Sequence, residues 1–225
     1  MISIVIPTYN ENENIKKLIP DLFSNYPDLE VIIVDDNSPD GTSKTARRLA
    51  KKYNIKVLTR EKRLGLSSAV LLGFKSVSSN ILGVMDADLS HPASKVKELI
   101  ELTKYYDIVI GSRLVQGGKV QKWPLWRKLV SMGATLLTKP LTEIRDPMSG
   151  FFFIKKDVIK NRKLSPIGYK ILLEILVKGK YKNVVEVPYI FQNRNSGTSK
   201  LTLKEYLNYL THLARLYTYK IKSRN

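Results

Sequence analysis

The sequence predicts an α/β fold built on a mostly parallel sheet. Three observations carry that reading. Apolar runs of strand length alternate with segments of helical periodicity from residue 2 to residue 113, the pattern that βαβ crossovers leave. The first run is nearly continuous in its apolar character, as in a strand buried on both faces. Polar clusters then follow the runs, at the carboxyl ends where open α/β sheets bind ligands.

The elements follow in order. "ISIVIPTYN" opens as an apolar run ended by Pro7, and Asn10 or Asn12 stands where a helix cap belongs. The helix behind it carries Ile15, Leu18, Ile19 and Leu22 at helical spacing. "VIIVDDNSPDG" is a second strand entering a polar turn, with "TSKTARRLAKKY" as its helix. "IKVLTR" and "SSAVLLGFKSV" form the third pair. "ILGVMDAD" is the fourth strand, "SKVKELIELTKYY" the next helix and "DIVIGSR" the fifth strand.

After Arg113 the rhythm breaks. "GGKVQKWPLWRKLVSMGATLLTKPL" is basic and amphipathic, with Trp123 and Trp126 near its start. "DPMSGFFFIKKDVI" resumes a strand, "GYKILLEILVKG" is a helix and "NVVEVPYIF" is another strand. "QNRNSGTSK" is expected to be a mobile polar loop. The closing helix, "TLKEYLNYLTHLARLYTYKIK", places Leu203, Leu207, Leu210, Leu213 and Leu216 along its length. No linker or low-complexity stretch divides the 225 residues, so a single domain is expected.

Composition narrows the function. Hydrophobic residues make up 43% and charged residues 26%, enough for a real core. The chain has no cysteine, which excludes disulfides and thiolate zinc sites. Its two histidines, His91 and His212, argue against an imidazole-rich metal centre. No apolar run is long enough to cross a bilayer, and no charged-then-apolar signal opens the chain. The net charge of +18 is unevenly spread. Residues 1–150 hold 22 Lys and Arg against 16 Asp and Glu, whereas residues 151–225 hold 16 against 4. Such a surplus attracts anions: nucleic acid, acidic lipid or a phosphorylated substrate. A lysine-rich, heat-adapted surface explains the lysines but not their excess over acids.

Neither G-x-G-x-x-G nor G-x-x-x-x-G-K-[ST] occurs, so dinucleotide and P-loop sites are not available. The chemistry points instead to "VMDADLSHP". On an extended chain Asp86 and Asp88 share a face at roughly 6.5 Å. That is wide for one ion unless a turn after Ala87 tightens it. Hard carboxylate oxygens favour Mg²⁺ or Mn²⁺, which keep positions open for phosphate. A lone D-x-D is as readily a solvated turn, and "DDNSPDG" taken singly is an ordinary one. Their convergence with Pro7, Tyr9 and Glu11 on one sheet edge offers acceptors for a base and ribose and a metal for a diphosphate.

At this point the chain resembles a known family. "VIPTYNENENI", "VDDNSPDGT", "GLSSAVLLGF", "MDADLSHP", "GSR", "WPLWRKL", "DPMSGFF", "GYKILLEIL" and "NRNSGTSKL" resemble the dolichol-phosphate mannosyltransferases. The resemblance runs from residue 2 to about residue 210 and implies a GT-A (Rossmann-like) fold with added amphipathic helices and a C-terminal helix. It implies mannose transfer from GDP-mannose to a dolichyl or polyprenyl phosphate, with inversion and with Mg²⁺ or Mn²⁺. It divides the domain into a nucleotide-sugar half, about 1–113, and an acceptor half, about 114–225. Carried over by position, Pro7, Tyr9, Glu11, Val34 and Asp36 hold the guanosine, and Asp86 and Ala87 contact the nucleotide sugar. Asp88 ligates the metal, with Ser90 where some relatives place a metal-binding Gln. Arg113, Lys170, Arg194 and Lys200 face phosphates, and Arg127 is expected to grip the acceptor.

Two rivals belong beside that reading. One is a related transferase with a donor such as UDP-glucose or a hydroxyl acceptor, which needs a carboxylate base near Arg127. The other is a basic nucleic-acid-binding protein, although "QNRNSGTSK" lacks the aromatic interleaving of single-strand binders, so no nucleic acid is expected. An inactive scaffold subunit fits the intact acidic turns poorly. The expected setting is the cytoplasmic face of a membrane, peripherally bound, with a possible anchoring subunit. Trp123 and Trp126 suit an interfacial helix, or an ordinary amphipathic core helix.

Overall fold

The computed structural model describes residues 1–121, 124–192 and 203–223. Trp123, Arg194, Lys200 and the "NRNSGTSK" loop lie outside the described residues.

A seven-stranded sheet forms the centre. In chain order its strands are β1 (Ile2–Thr8), β2 (Glu30–Asp35), β3 (Ile55–Thr59), β4 (Ile81–Val84), β5 (Ile108–Ser112), β7 (Phe152–Lys155) and β8 (Val184–Pro188). Their spatial order is β3-β2-β1-β4-β7-β5-β8. All neighbours run parallel except β7, which is antiparallel to both β4 and β5. A small parallel pair, β6 (Lys119–Val120) with β9 (Ile190–Phe191), stands beside the sheet.

Helices cover both faces. Alternation along β1 sends Ile4 and Ile6 to one side, where they pack on Ile15, Leu18, Ile19 and Leu22 of α1 (Asn12–Asn25). Ala46 of α2 (Thr42–Leu49) and Val96, Leu99 and Ile100 of α4 (Lys95–Leu102) complete that layer. Val5 points the other way, into a core shared with Ala69, Val70 and Phe74 of α3 (Leu66–Lys75). Ile171, Leu172, Ile175 and Leu176 of α6 (Ile171–Lys178) join it. Burial on both faces is why these strands read as unbroken apolar runs.

Four expectations need correction. β4 ends at Val84, so Asp86 and Asp88 leave the strand and enter a turn in which Leu89 has φ +62°. The cap of α1 is Glu11, which accepts from Asn14 Nδ2 at 2.6 Å, rather than Asn10 or Asn12. The Asn12 N–H instead reaches Asp40 Oδ2 at 3.0 Å, so the second loop clamps the start of the helix.

The expected leucine stripe of α7 (Leu203–Lys222) divides. Leu213 and Leu216 are buried against Leu141 and Leu173, while Leu207 and Leu210 are more than half exposed. Tyr209 and His212 take inward positions, with His212 Nε2 lying 3.4 Å from Glu174 Oε2. Finally, α5 (Leu125–Leu136) contains no buried residue, so it is not a core helix. Leu125, Trp126, Leu129, Met132 and Leu136 are all exposed. Tyr209 and Tyr217 hold the far end of α5 by donating to the Ala134 and Leu137 carbonyls, each at 2.5 Å.

Among the described residues no helix is long and apolar enough to cross a membrane.

The sheet holds glycines at places where a methyl group cannot enter, Gly83 and Gly111 among them. A Cβ on Gly83 of β4 would fall on the Phe153 ring of β7, whereas one on Gly133 of α5 would meet nothing within 4 Å. Gly83→Ala is therefore expected to cost about 1–3 kcal/mol by overpacking. Gly133→Ala should stabilise by roughly 0.5–1 kcal/mol through helix propensity. Urea unfolding of the two variants checks both signs.

Candidate active site

The carboxyl ends of β1, β2 and β4 open into a cleft of about 230 Å³. Its lining includes Pro7, Tyr9, Glu11, Asp36, Asp86, Ala87, Asp88, Arg113 and Arg127, so most of the expected site residues meet there. His91, Arg63, Met148, Tyr169 and Phe191 complete its walls.

The wall of the cleft on the β1 and β2 side is built by clamping two loops together. Asp35 is fully buried and acts within the turn, accepting from Thr8 Oγ1 at 2.8 Å and from the Ser38 N–H at 3.0 Å. Asp40 ties the other loop, accepting from the Asn12 and Thr42 N–H groups, both at 3.0 Å. Desolvation pushes its pKa up, but the hydrogen bonds from Thr42 and Asn12 outweigh that and hold it below the ordinary value. Asp36 is the member of the acidic pair that reaches the cleft.

Asp36 depends on Arg60, a residue that the sequence analysis passed over as the end of "IKVLTR". Arg60 pairs with the Asp36 carboxylate, donates from Nη1 to Ser68 at 2.7 Å and from Nη2 to the Gly65 carbonyl at 2.9 Å. The two paired side chains are only 7% exposed. Arg63 lies 4.3 Å from the Tyr9 ring centroid, a cation–π contact at the rim.

The acidic turn has its own supports. Asp88 is 5% exposed, and its Oδ1 accepts from the Ser90 N–H at 3.1 Å and the Ser90 hydroxyl at 2.5 Å. Ser90 is fully buried, so it orients Asp88 and does not line the cleft. The Asp86 N–H donates to His91 Nδ1 at 3.3 Å. Gly150 lies beside Asp86: a Cβ there would sit 3.0 Å from Asp86 Oδ2. That closeness explains the glycine of "DPMSG". Val34 is wholly buried in the core on the α3 side, so its side chain contributes nothing to the cleft wall. The donor set of Asp86 and Asp88, carboxylates at a cleft edge, fits a hard divalent cation. Among the described residues no group of three or more such ligands is gathered in advance.

The opposite wall is cationic. Arg113 is held by Asp146, which accepts from its Nε at 2.8 Å, its Nη2 at 2.7 Å and its backbone N–H at 3.0 Å. Asp146 is 1% exposed. Desolvation alone would push the Asp146 carboxyl up, but Arg113 holds it below the usual range. Glu186 of β8 holds the same segment, accepting from the Arg145 and Asp146 N–H groups at 2.8 and 2.9 Å.

Lys170 stands at the start of α6, in a second and mostly apolar cavity of about 120 Å³. Val130, Ala134, Ile167, Tyr206 and Tyr209 help to line it. Desolvation and the neighbouring Arg113 bring Lys170 down to about 8, against Asp146, Asp86 and Glu205. Arg127, Met148 and Tyr169 line both cavities, so the polar cleft and the apolar groove adjoin.

Because Arg60 and Asp36 are desolvated together, breaking the pair strands a buried charge. Arg60→Leu is expected to destabilise by about 3–5 kcal/mol. Arg60→Leu combined with Asp36→Asn should recover much of that loss. Chemical denaturation of the single and double variants provides the readout.

Comparison with known proteins agrees with this geometry. The profile of "Glycosyl transferase family 2" matches residues 3–162. A dolichol-phosphate mannosyltransferase of Pyrococcus furiosus is 49% identical over 222 residues, covering 96% of this chain and 63% of the relative. The chain thus spans less than two thirds of that protein's length. A dolichol-phosphate mannosyltransferase of Saccharomyces cerevisiae is 38% identical over 238 residues, covering 99% of this chain and 89% of the relative.

Among solved structures, glucosyl-3-phosphoglycerate synthase of Mycobacterium tuberculosis with Mn²⁺, UDP-glucose and phosphoglyceric acid superposes with a TM-score of 0.69 at 17% identity, covering 96% and 79% of the two chains. A mannosyltransferase of Pyrobaculum calidifontis with GDP-Man and Mn²⁺ gives 0.63 at 16%, covering 98% and 64%. These two likenesses show the shared GT-A fold. The chain belongs to glycosyl transferase family 2, in company with the dolichol-phosphate mannosyltransferases.

Proposed function

We propose that this protein transfers mannose from GDP-mannose to the phosphate of a dolichyl or polyprenyl phosphate, inverting the anomeric carbon. One observation carries the reading: a polar cleft edged by carboxylates adjoins an apolar groove, and Arg127 lines both. An acceptor with an anionic head and a hydrocarbon tail matches that junction in kind. The names of the curated relatives support the same chemistry.

In this reading Pro7, Tyr9, Glu11 and Asp36 receive the guanosine, with Asp36 aimed by Arg60. Asp86 and Asp88 would hold a divalent cation, with Ser90 fixing the Asp88 carboxylate. A cation held there would supply charge stabilisation for a departing diphosphate. The nucleophile is a phosphate oxygen that is already ionised near neutral pH, so no carboxylate base is required. The remaining work is to align two anions that repel each other. Arg113, Arg127 and Lys170 do this, Arg113 with its fork fixed by Asp146.

The domain then acts as one unit, its first half holding the donor and its second half the acceptor. The exposed apolar side chains of α5, with Leu207 and Leu210 of α7, rest against the cytoplasmic surface of the membrane that carries the acceptor.

The decisive experiment is transfer from labelled GDP-mannose to a short polyprenyl phosphate in detergent, with UDP-glucose as the competing donor. Arg127→Ala is expected to raise the KM for the acceptor about 10- to 100-fold, the loss of one charge-assisted contact of about 1.5–3 kcal/mol. The KM for GDP-mannose should change little. Transfer from UDP-glucose alone would overturn the donor assignment, and an unchanged acceptor KM would remove Arg127 from the site.

Lys170 adds a pH signature. It is charged below about pH 8 and neutral above it, so the acceptor KM should rise as pH passes through 8. Lys170→Arg should flatten that limb. Stability runs the other way, because a lysine whose pKa is depressed weakens the fold while it is charged. That penalty is present below about pH 8 and fades as pH climbs toward the ordinary lysine value. Lys170→Met should accordingly melt higher at pH 7 while binding the acceptor worse. A flat acceptor KM from pH 7 to 9 would count against the assignment.

A further inference from the structure

Tyr189 carries a hydroxyl that nothing in the fold explains. The residue is 3% exposed and lies between β8 and β9, its main chain fixed by the Ser112 carbonyl and the Lys119 N–H, both at 3.1 Å. Its ring sits in an aromatic cage, with centroids 5.6 Å from His91, 5.6 Å from Phe151 and 6.5 Å from Phe191. Phenylalanine would fill that cage equally well. Yet the phenol oxygen is buried with no hydrogen-bond partner among the described residues. An orphaned buried hydroxyl is costly, and one in a native core calls for a reason.

Its surroundings supply one. Besides burial, the charges that bear on the Tyr189 phenol are Arg113, Asp146, Asp86 and Asp88. Burial raises its pKa, and the three carboxylates raise it further against Arg113, so the group is a neutral O–H donor. His91, which contacts the ring, also accepts from the Asp86 N–H. Gln192, three residues on, donates its N–H to the Ser90 carbonyl at 3.2 Å. The turn itself is strained, since Leu89 is a bulky side chain at φ +62°, a conformation that clusters at functional sites.

We infer that Tyr189 is a positioning residue for the acidic turn, whose hydroxyl donates to an Asp86 or Asp88 carboxylate once a divalent cation draws that turn into its loaded arrangement. Outer partners of this kind orient metal-ligating carboxylates and tune affinity. Here the donor waits in the cage, and Ser90 is already committed to Asp88. The inference rests on the proposed role of Asp86 and Asp88 as the cation's holders, and it extends that role to a residue outside the cleft wall.

The test is Tyr189→Phe in the whole chain, read by Mn²⁺ binding in the presence of GDP, using electron paramagnetic resonance, and by melting without metal. Mn²⁺ affinity is expected to fall about 10- to 100-fold, as loss of an outer hydrogen bond to a ligand does. Melting of the metal-free protein should stay level or rise, because an unsatisfied group has been removed. A structural tyrosine would give the reverse pattern: a lower melting temperature and unchanged Mn²⁺ affinity. That result overturns the inference and leaves the acidic turn's role intact. If the wild-type protein binds no Mn²⁺ with GDP, the role of the acidic turn falls and this inference with it. Equal Mn²⁺ affinity in the two proteins, whatever the melting result, overturns the inference alone.

Discussion

The buried pair of Arg113 with Asp146 is the interaction on which the site depends. It joins the end of β5 to the segment before β7, and Glu186 on β8 fastens that segment through two backbone N–H groups. Three stretches separated by more than thirty residues each are thereby fixed at one edge. Desolvating a guanidinium and a carboxylate is expensive, and only good geometry repays it. Here the fork is bidentate and a third donor, the Arg113 N–H, completes the carboxylate. The pair also bears on its neighbour Lys170, where desolvation is the main cause of the lowered pKa, Arg113 adds to it and Asp146 opposes it.

That pair exists because one strand runs backwards. β7 lies between β4 and β5 and is antiparallel to both. Its first residue therefore sits at the carboxyl edge of its neighbours. The segment leading into it, Asp146 to Phe151, arrives where the βα turns of the parallel strands open. A parallel strand in the same slot would deliver that segment to the opposite edge, away from the cleft. The reversal is what brings Gly150 beside Asp86 and Asp146 beside Arg113. Phe152 and Phe153, on opposite faces, then lock β7 into both cores.

Much of this was legible in the sequence, and the exceptions share a cause. Strand runs and the polar residues after them located the cleft, because in a parallel sheet position after a strand is position in space. Pro7, Tyr9, Glu11, Asp36, Asp86, Ala87, Asp88, Arg113 and Arg127 all line it. What local pattern does not report is which partner a side chain meets. Ser90 reads as a candidate ligand but turns inward to Asp88, and Val34 points into the core. Arg60, Glu186 and Tyr189 gave no signal, because each acts through a partner far away in the chain. The leucines of α7 have helical spacing, yet Leu213 and Leu216 pack with Leu173 of α6 while Leu207 and Leu210 stay exposed. Lys170 lines the apolar groove, which adjoins the cleft through Arg127, Met148 and Tyr169.

The two ends of the sheet differ in how well their polar groups are settled. At the end away from the cleft, Asp107 accepts from Lys155 at 3.0 Å and from the Lys182 N–H at 2.8 Å. Ser3 and Ser79 share a hydrogen bond of 2.5 Å there, with Glu30 accepting from Ser3. The cleft end holds an orphaned tyrosine hydroxyl, a left-handed leucine and a lysine brought down to about 8. Local discord of this kind is tolerated where the rest of the fold overdetermines the backbone, and it gathers at functional sites. Two cores packed on both faces of seven strands supply that margin. The discord is also local: Tyr189 belongs to the aromatic cage of His91 and Phe151, Leu89 to the acidic turn, and Lys170 to the groove that adjoins the cleft through Arg127, Met148 and Tyr169.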